Sequence, residues 1–122
     1  MSETVAILGA SNKPDRYAFL AQSLLQEHGH TVVPINPKEK EINGVSCFTS
    51  LAEYSGKLDT VTLYVGPNIL SGLVSEIIQA KPTRVIMNPG TESESAKQQL
   101  ISAGIKVEEA CTLVLLRTGQ YD

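Results

Sequence analysis

The chain predicts an α/β domain of three layers, with a mainly parallel sheet of five or six strands between two layers of helices. Short apolar runs alternate along it with segments whose apolar residues fall at helical spacing, and that alternation makes βαβ units. The length, 122 residues, is that of one domain, taken here as residues 1–122. No linker, low-complexity tract or internal repeat interrupts the pattern.

Val5-Ala6-Ile7-Leu8 is a compact strand ending at Gly9. Tyr17 to His28 reads as a helix, with Ala21, Leu24, Leu25 and His28 on one face. Gly29 stops it. Thr31 to Ile35 is the second strand, and Pro34, awkward inside a central strand, is expected near the strand's end or at a bulge. Val45 to Phe48 is expected as a short edge strand. Ser50-Leu51-Ala52-Glu53 has the capping-box pattern and should open a short helix. Thr60 to Val65, rich in β-branched residues, is the next strand. Leu70, Leu73, Val74 and Ile77 mark one helix, which ends before Pro82. Arg84 to Met87 is a strand. Thr91-Glu92-Ser93-Glu94 is a second capping box, with Thr91 as the expected cap of a helix reaching about Gly104. Lys106 to Glu108 is a last short strand, and Leu113 to Leu116 is apolar but unassigned.

Right-handed crossovers prune the topologies to a few, and with 45–48 as a true edge strand the spatial order is 45–48, 31–35, 5–8, 60–65, 84–87, 106–108. The topological switch point falls between the strand ending at Gly9 and the one ending at Val65. Open α/β sheets bind ligands there, beyond the carboxyl ends of the strands.

Ten Lys and Arg against thirteen Asp and Glu give a net charge of −3. That argues against nucleic acid as a partner, which calls for a basic face. No apolar run approaches the roughly 20 residues of a membrane span. Cys47 and Cys111 are too few for a disulfide framework, and Met1-Ser2-Glu3-Thr4 is not a secretory n-region. A cytoplasmic protein with reduced thiols is the expectation. Oligomeric state stays open, a homo-oligomer included.

Four loops meet at the predicted crevice. The first is Gly9-Ala10-Ser11-Asn12-Lys13-Pro14-Asp15-Arg16. Gly9 permits a tight turn and close ligand approach. Ser11, Asn12 and the N-terminus of the following helix make an anion site suited to a phosphate or diphosphate, with Lys13 and Arg16 adding positive charge. Ser11 and Pro14 stand where the dinucleotide pattern would have its second and third glycines. The second loop is Asn36-Pro37-Lys38. An NAD site calls for an acidic residue here, whereas Lys38 suits a phosphate on the adenosine ribose. Both NADP and coenzyme A satisfy that, and Lys38 alone does not separate them. The third loop, Tyr64-Val65-Gly66-Pro67-Asn68-Ile69, offers a low apolar wall for an adenine ring or a pantetheine arm, with Asn68 read as a helix cap. The fourth is Met87-Asn88-Pro89-Gly90.

Taken together, Gly9-Ala10-Ser11 with Pro14, Val33-Pro34-Ile35-Asn36-Pro37-Lys38, Gly44 before Cys47, Tyr64 to Pro67, Asn88 to Gly90 and Cys111 resemble the small CoA-binding proteins. More distantly, they resemble the N-terminal CoA-binding domain of the succinyl-CoA synthetase alpha subunit. The resemblance spans about Thr4 to Cys111. It implies a Rossmann-like domain holding coenzyme A through the first loop, through Lys38, and through the loops at Val65 and Asn88. Met87-Asn88-Pro89-Gly90 departs from the Gln-Glu-Gly or Thr-Glu-Gly of many relatives. The synthetase's phosphorylated histidine lies outside this domain, so its chemistry does not carry over.

Nothing in the residues marks a catalyst. His28 and His30 flank Gly29 at a helix end, where a structural role is expected. No nucleophile elbow, Ser-His-Asp set, C-x-x-C pair or metal-ligand spacing is present. The expected function is therefore non-catalytic binding of coenzyme A or an acyl-CoA. Cys111, after the last strand, is the candidate for thiol exchange with the ligand. An NADP-binding oxidoreductase or redox sensor is the alternative.

Overall fold

The structure is a computed structural model and describes residues 2–122. Strands β1 (Thr4–Leu8), β2 (Thr31–Ile35), β5 (Thr60–Leu63), β6 (Arg84–Met87) and β7 (Lys106–Glu109) form one parallel sheet in the order β2-β1-β5-β6-β7. The chain leaves β1 toward β2 on one side and later returns to β5 on the other. The switch point therefore lies between β1 and β5, where the sequence places it.

Alternation along each strand divides the core between two faces. Ala6, Leu8, Val33, Val61, Leu63, Val85 and Met87 pack with Leu70, Val74, Ile77, Ala96 and Leu100. These last five come from helices α2 (Pro67–Ser71), α3 (Val74–Ala80) and α4 (Glu94–Ser102). Val5, Ile7, Val32 and Ile86 face the other way, toward Ala18 and Leu25 of α1 (Tyr17–Glu27) and Leu116 of α5 (Thr112–Arg117).

The expected sixth strand shrinks to a single bridge, Ile35 to Phe48. Phe48 N–H donates to the Pro34 carbonyl, so that carbonyl faces the sheet's outer edge. The N–H and C=O of one strand residue point the same way. Proline's missing donor therefore faces outward too, and a longer ladder lacks a partner there. Val45–Ser46 (β4) instead pairs antiparallel with Glu41–Ile42 (β3) in a small hairpin. It turns through Asn43 and Gly44, both at positive φ.

Several local readings are corrected. Leu51–Glu53 is one 3-10 turn without a side-chain cap from Ser50, and the Glu53 carboxylate accepts chiefly from the N–H and hydroxyl of Thr49. The single helix expected around residues 70–77 is two, α2 and α3, parted at Gly72 and Leu73. Gly66, not Asn68, is the N-cap of α2. Ser93, not Thr91, caps α4, accepting from the Ala96 N–H at 3.2 Å, because Thr91 is buried and its hydroxyl donates to the Asn88 carbonyl. The unassigned residues 113–116 belong to α5.

At the amino edge of the sheet, Arg84 joins Glu3 (3.5 Å), Glu108 (3.2 Å) and the Tyr121 carbonyl (2.9 Å), with its guanidinium over the Tyr121 ring. This cluster draws the chain end back onto the sheet. His30 belongs to the same edge: its Nδ1 accepts from the Glu3 N–H, and its ring packs on Tyr121. The structural reading of His30 holds. No helix among the described residues is long and apolar enough to cross a membrane.

Candidate functional site

At the carboxyl edge of the sheet, the first two loops are tied into one unit. The Ile35 carbonyl accepts from the N–H groups of both Gly9 (3.2 Å) and Ala10 (3.1 Å). Asn36 completes the joint: its Nδ2 donates to the Ala10 carbonyl and its Oδ1 accepts from the Lys38 N–H, each at 2.7 Å. Gly9 makes the joint possible. Its φ is +92°, and a Cβ there would lie 2.8 Å from the Tyr64 carbonyl oxygen.

Three hollows run along this edge. An apolar slot of about 360 Å³ lies among Ile35, Pro37, Leu51, Val65, Ile69 and Leu73. It shares Gly9 with a central cleft of about 370 Å³, bounded by Ser11, Asp15, Arg16, Tyr17, Ala18 and Tyr64. Tyr17 and Tyr64 also border a small hollow of about 70 Å³ beside Pro89, Cys111 and Leu113. A further cavity, about 390 Å³, lies at the amino edge around Arg84, where Glu3, Arg84, Lys106 and Glu108 already pair with one another and Asp59 accepts from the Thr4 N–H.

The central cleft faces the start of α1. Arg16 is the N-cap and gives no side-chain cap, and the first turn carries no acid. The N–H groups of Tyr17, Ala18 and Phe19 therefore have no partner among the described residues, and they carry the positive end of the helix dipole. Lys13 N–H donates to Ser11 Oγ at 3.2 Å, which leaves the Ser11 hydroxyl proton free to donate. Asp15, unremarked in the sequence, also lines the cleft.

Not every predicted residue offers a free side chain. Met87 and Ala10 are buried core residues, because the sheet face and the Asn36 joint enclose them. Asn88 is spent internally: Nδ2 donates to Thr62 Oγ1 and the Leu63 carbonyl, and Oδ1 accepts from the Thr112 N–H. Asn36 is used in the joint. Asn12, Lys13, Pro14, Gly66, Pro67 and Gly90 are exposed around the rim. Lys38 is exposed beside slot-lining Pro37, with no ion pair to a described residue. Cys47 Sγ lies 3.7 Å from the Asn36 carbonyl, and burial pushes its thiol pKa up. Tyr17 and Glu76 line these hollows although the sequence reading passed over them. Glu76 was legible as the one acid beside the Leu73, Val74 and Ile77 stripe.

Residues 3–117 match the sequence profile of the CoA binding domain. The chain belongs to that family. A CoA-binding-domain chain of this kind has wide structural kinship. The solved structure of an uncharacterized protein superimposes with a TM-score of 0.92 at 37% identity, covering 98% of each chain. Uncharacterized protein YneT of Bacillus subtilis (strain 168) is 29% identical over 119 residues, covering 91% of this chain and 88% of its own. An ADP-forming acetate–CoA ligase of Methanocaldococcus jannaschii is 32% identical over 74 residues, which is 61% of this chain but 10% of the ligase.

Beneath the CoA-binding-domain cleft, the Tyr64 hydroxyl is buried without a hydrogen-bond partner. Burial pushes its pKa up to about 12, with Cys111 adding to the rise; the hydroxyls of Thr112 and Thr62, close by but bonded to each other, pull it down less. Between about pH 10 and 12 the unfolded chain has lost this proton and the folded one keeps it, so folded stability falls as pH rises. An ultraviolet phenolate titration should lose one late phenolate, near pH 12, in Tyr64→Phe, while Tyr121, whose pKa burial also pushes up, keeps its own late component. A late titration that loses nothing on that substitution contradicts the assignment.

Proposed function

We propose that the protein binds coenzyme A or an acyl-CoA along the carboxyl edge of its sheet and catalyses no reaction of its own. The observation that supports this most is the line of three hollows, with the unpartnered N–H groups of α1 at its centre. The diphosphate sits at Tyr17 and Ala18, with Ser11 and Arg16 beside it. The adenine ring enters the apolar slot between Pro37 and Val65–Ile69. Lys38, at the slot's rim, meets the ribose 3′-phosphate. The pantetheine arm runs over Tyr64 toward Cys111. Both histidines lie away from the cleft, His30 at the amino edge and His28 at the end of α1, so neither is placed as a general base here. The setting is the reducing cytoplasm, where the cysteines stay free thiols.

Calorimetry with coenzyme A, dephospho-CoA and NADPH tests the reading. Wild type should bind coenzyme A and discriminate against NADPH. Lys38→Ala should weaken coenzyme A roughly tenfold, as loss of a charge-assisted phosphate contact does, and leave dephospho-CoA nearly unchanged. Equal losses for both ligands remove Lys38 from its role, and tighter binding of NADPH overturns the reading.

Cys111 lines the small hollow at the thiol end. With CoA disulfide as the oxidant, the Cys111 thiolate attacks one sulfur. A protein–CoA disulfide forms, the original S–S bond breaks, and one CoA leaves as its thiolate. Intact-mass analysis should show one CoA adduct on wild type and none on Cys111→Ser. An equal adduct on both ends this redox role.

A further inference from the structure

The apolar slot contains one ionisable side chain, Glu76 of α3, and nothing above gives it work. It borders the slot on one side and a second hollow of about 220 Å³, near Tyr54 and Gln79, on the other. Its Oε1 is closed off from water and has no hydrogen bond. It pairs with no Lys or Arg among the described residues. A carboxylate oxygen only accepts hydrogen bonds, and one left unpaired in such a place is costly. The rest of the slot wall is aliphatic or proline, apart from Thr49 and Ser50.

Glu76 borders the slot, so an occupant that pairs with its carboxylate must carry a hydrogen-bond donor, and the aliphatic wall favours apolar faces beside that donor. Adenine has that form, with its 6-amino group as the donor. Guanine and hypoxanthine put a carbonyl oxygen at the same position, acceptor against acceptor. The terminal torsion of a glutamate is broad, so the carboxylate can turn to meet a ring without a new rotamer of the stem.

We propose that Glu76 sets the base specificity of the slot, its carboxylate accepting a hydrogen bond from the 6-amino group of a bound adenine ring. This rests on the coenzyme A reading and adds to it the residue that selects the base. The 6-oxo analogue of coenzyme A, in which hypoxanthine replaces adenine, separates the two. Wild type should bind the analogue at least about tenfold more weakly than coenzyme A, the loss of a hydrogen bond to a charged group. In Glu76→Leu the two ligands should bind within about twofold of each other, because the group that tells them apart is gone. Equal binding of both ligands by wild type overturns the role of Glu76 and leaves the coenzyme A reading standing. So does discrimination that persists in Glu76→Leu. Binding of neither ligand by wild type overturns both.

Discussion

The Ile35 carbonyl, shared between the N–H groups of Gly9 and Ala10, is the contact on which the edge architecture depends. It holds the end of β1 against the end of β2 where the chain leaves both strands. Asn36 then extends the joint by gripping Ala10 and Lys38 together. Without it, the first loop would have no fixed relation to the second, and the start of α1 would not face a cleft shared with β5. Gly9 is the sequence requirement behind the contact. A side chain there would meet the backbone of Tyr64 while the residue itself sat at a φ that L residues rarely adopt.

The two ends of the sheet spend their polar groups differently. At the amino edge, Glu3 Oε1 takes hydrogen bonds from Thr60, Arg84 and Tyr121, and Arg84 spreads its donors over Thr60, Glu108 and the Tyr121 carbonyl. That edge is closed on itself. At the carboxyl edge, Asn88, Thr62 and Thr112 form a satisfied floor, while the N–H groups of α1 and Oε1 of Glu76 are left without partners. Buried or oriented polar groups without partners are uncommon in a folded protein. Two of the three such side-chain atoms among the described residues, Tyr64 Oη and Glu76 Oε1, belong to residues lining hollows on the edge that the βαβ topology reserves for ligands; the third, Gln22 Oε1, lies within α1.

Much of this was legible in the residues. Val5–Leu8, Thr31–Ile35 and Arg84–Met87 announce themselves as apolar runs, and the glycine after the first of them fixes where the chain turns. Crossover handedness prunes the possible strand orders to a few, the observed β2-β1-β5-β6-β7 among them. What escaped was decided by tertiary contact. Thr91 and Ser93 are equally good caps in sequence; burial of Thr91 against Asn88 makes Ser93 the cap. The run from Leu70 to Ile77 keeps helical spacing across a break at Gly72 that spacing does not register. Val45 pairs with Ile42 in a hairpin because proline leaves the outer edge of β2 short of a donor. In the site, Lys38 and Ser11 were readable as charge and hydroxyl at a loop. Asn88 was readable as a polar group at the right place, but its complete internal bonding was not. Glu76 was legible only as an acid beside an apolar stripe, which is ordinary on a helix, and the fold alone reveals what surrounds it.

A crystal structure grown with coenzyme A tests the binding mode most directly. The diphosphate should lie within hydrogen-bond distance of the Tyr17 and Ala18 N–H groups, with the 3′-phosphate beside Lys38 and the adenine between Pro37 and Ile69. Coenzyme A seated instead at the Arg84 and Tyr121 edge, or a diphosphate remote from the start of α1, would contradict it.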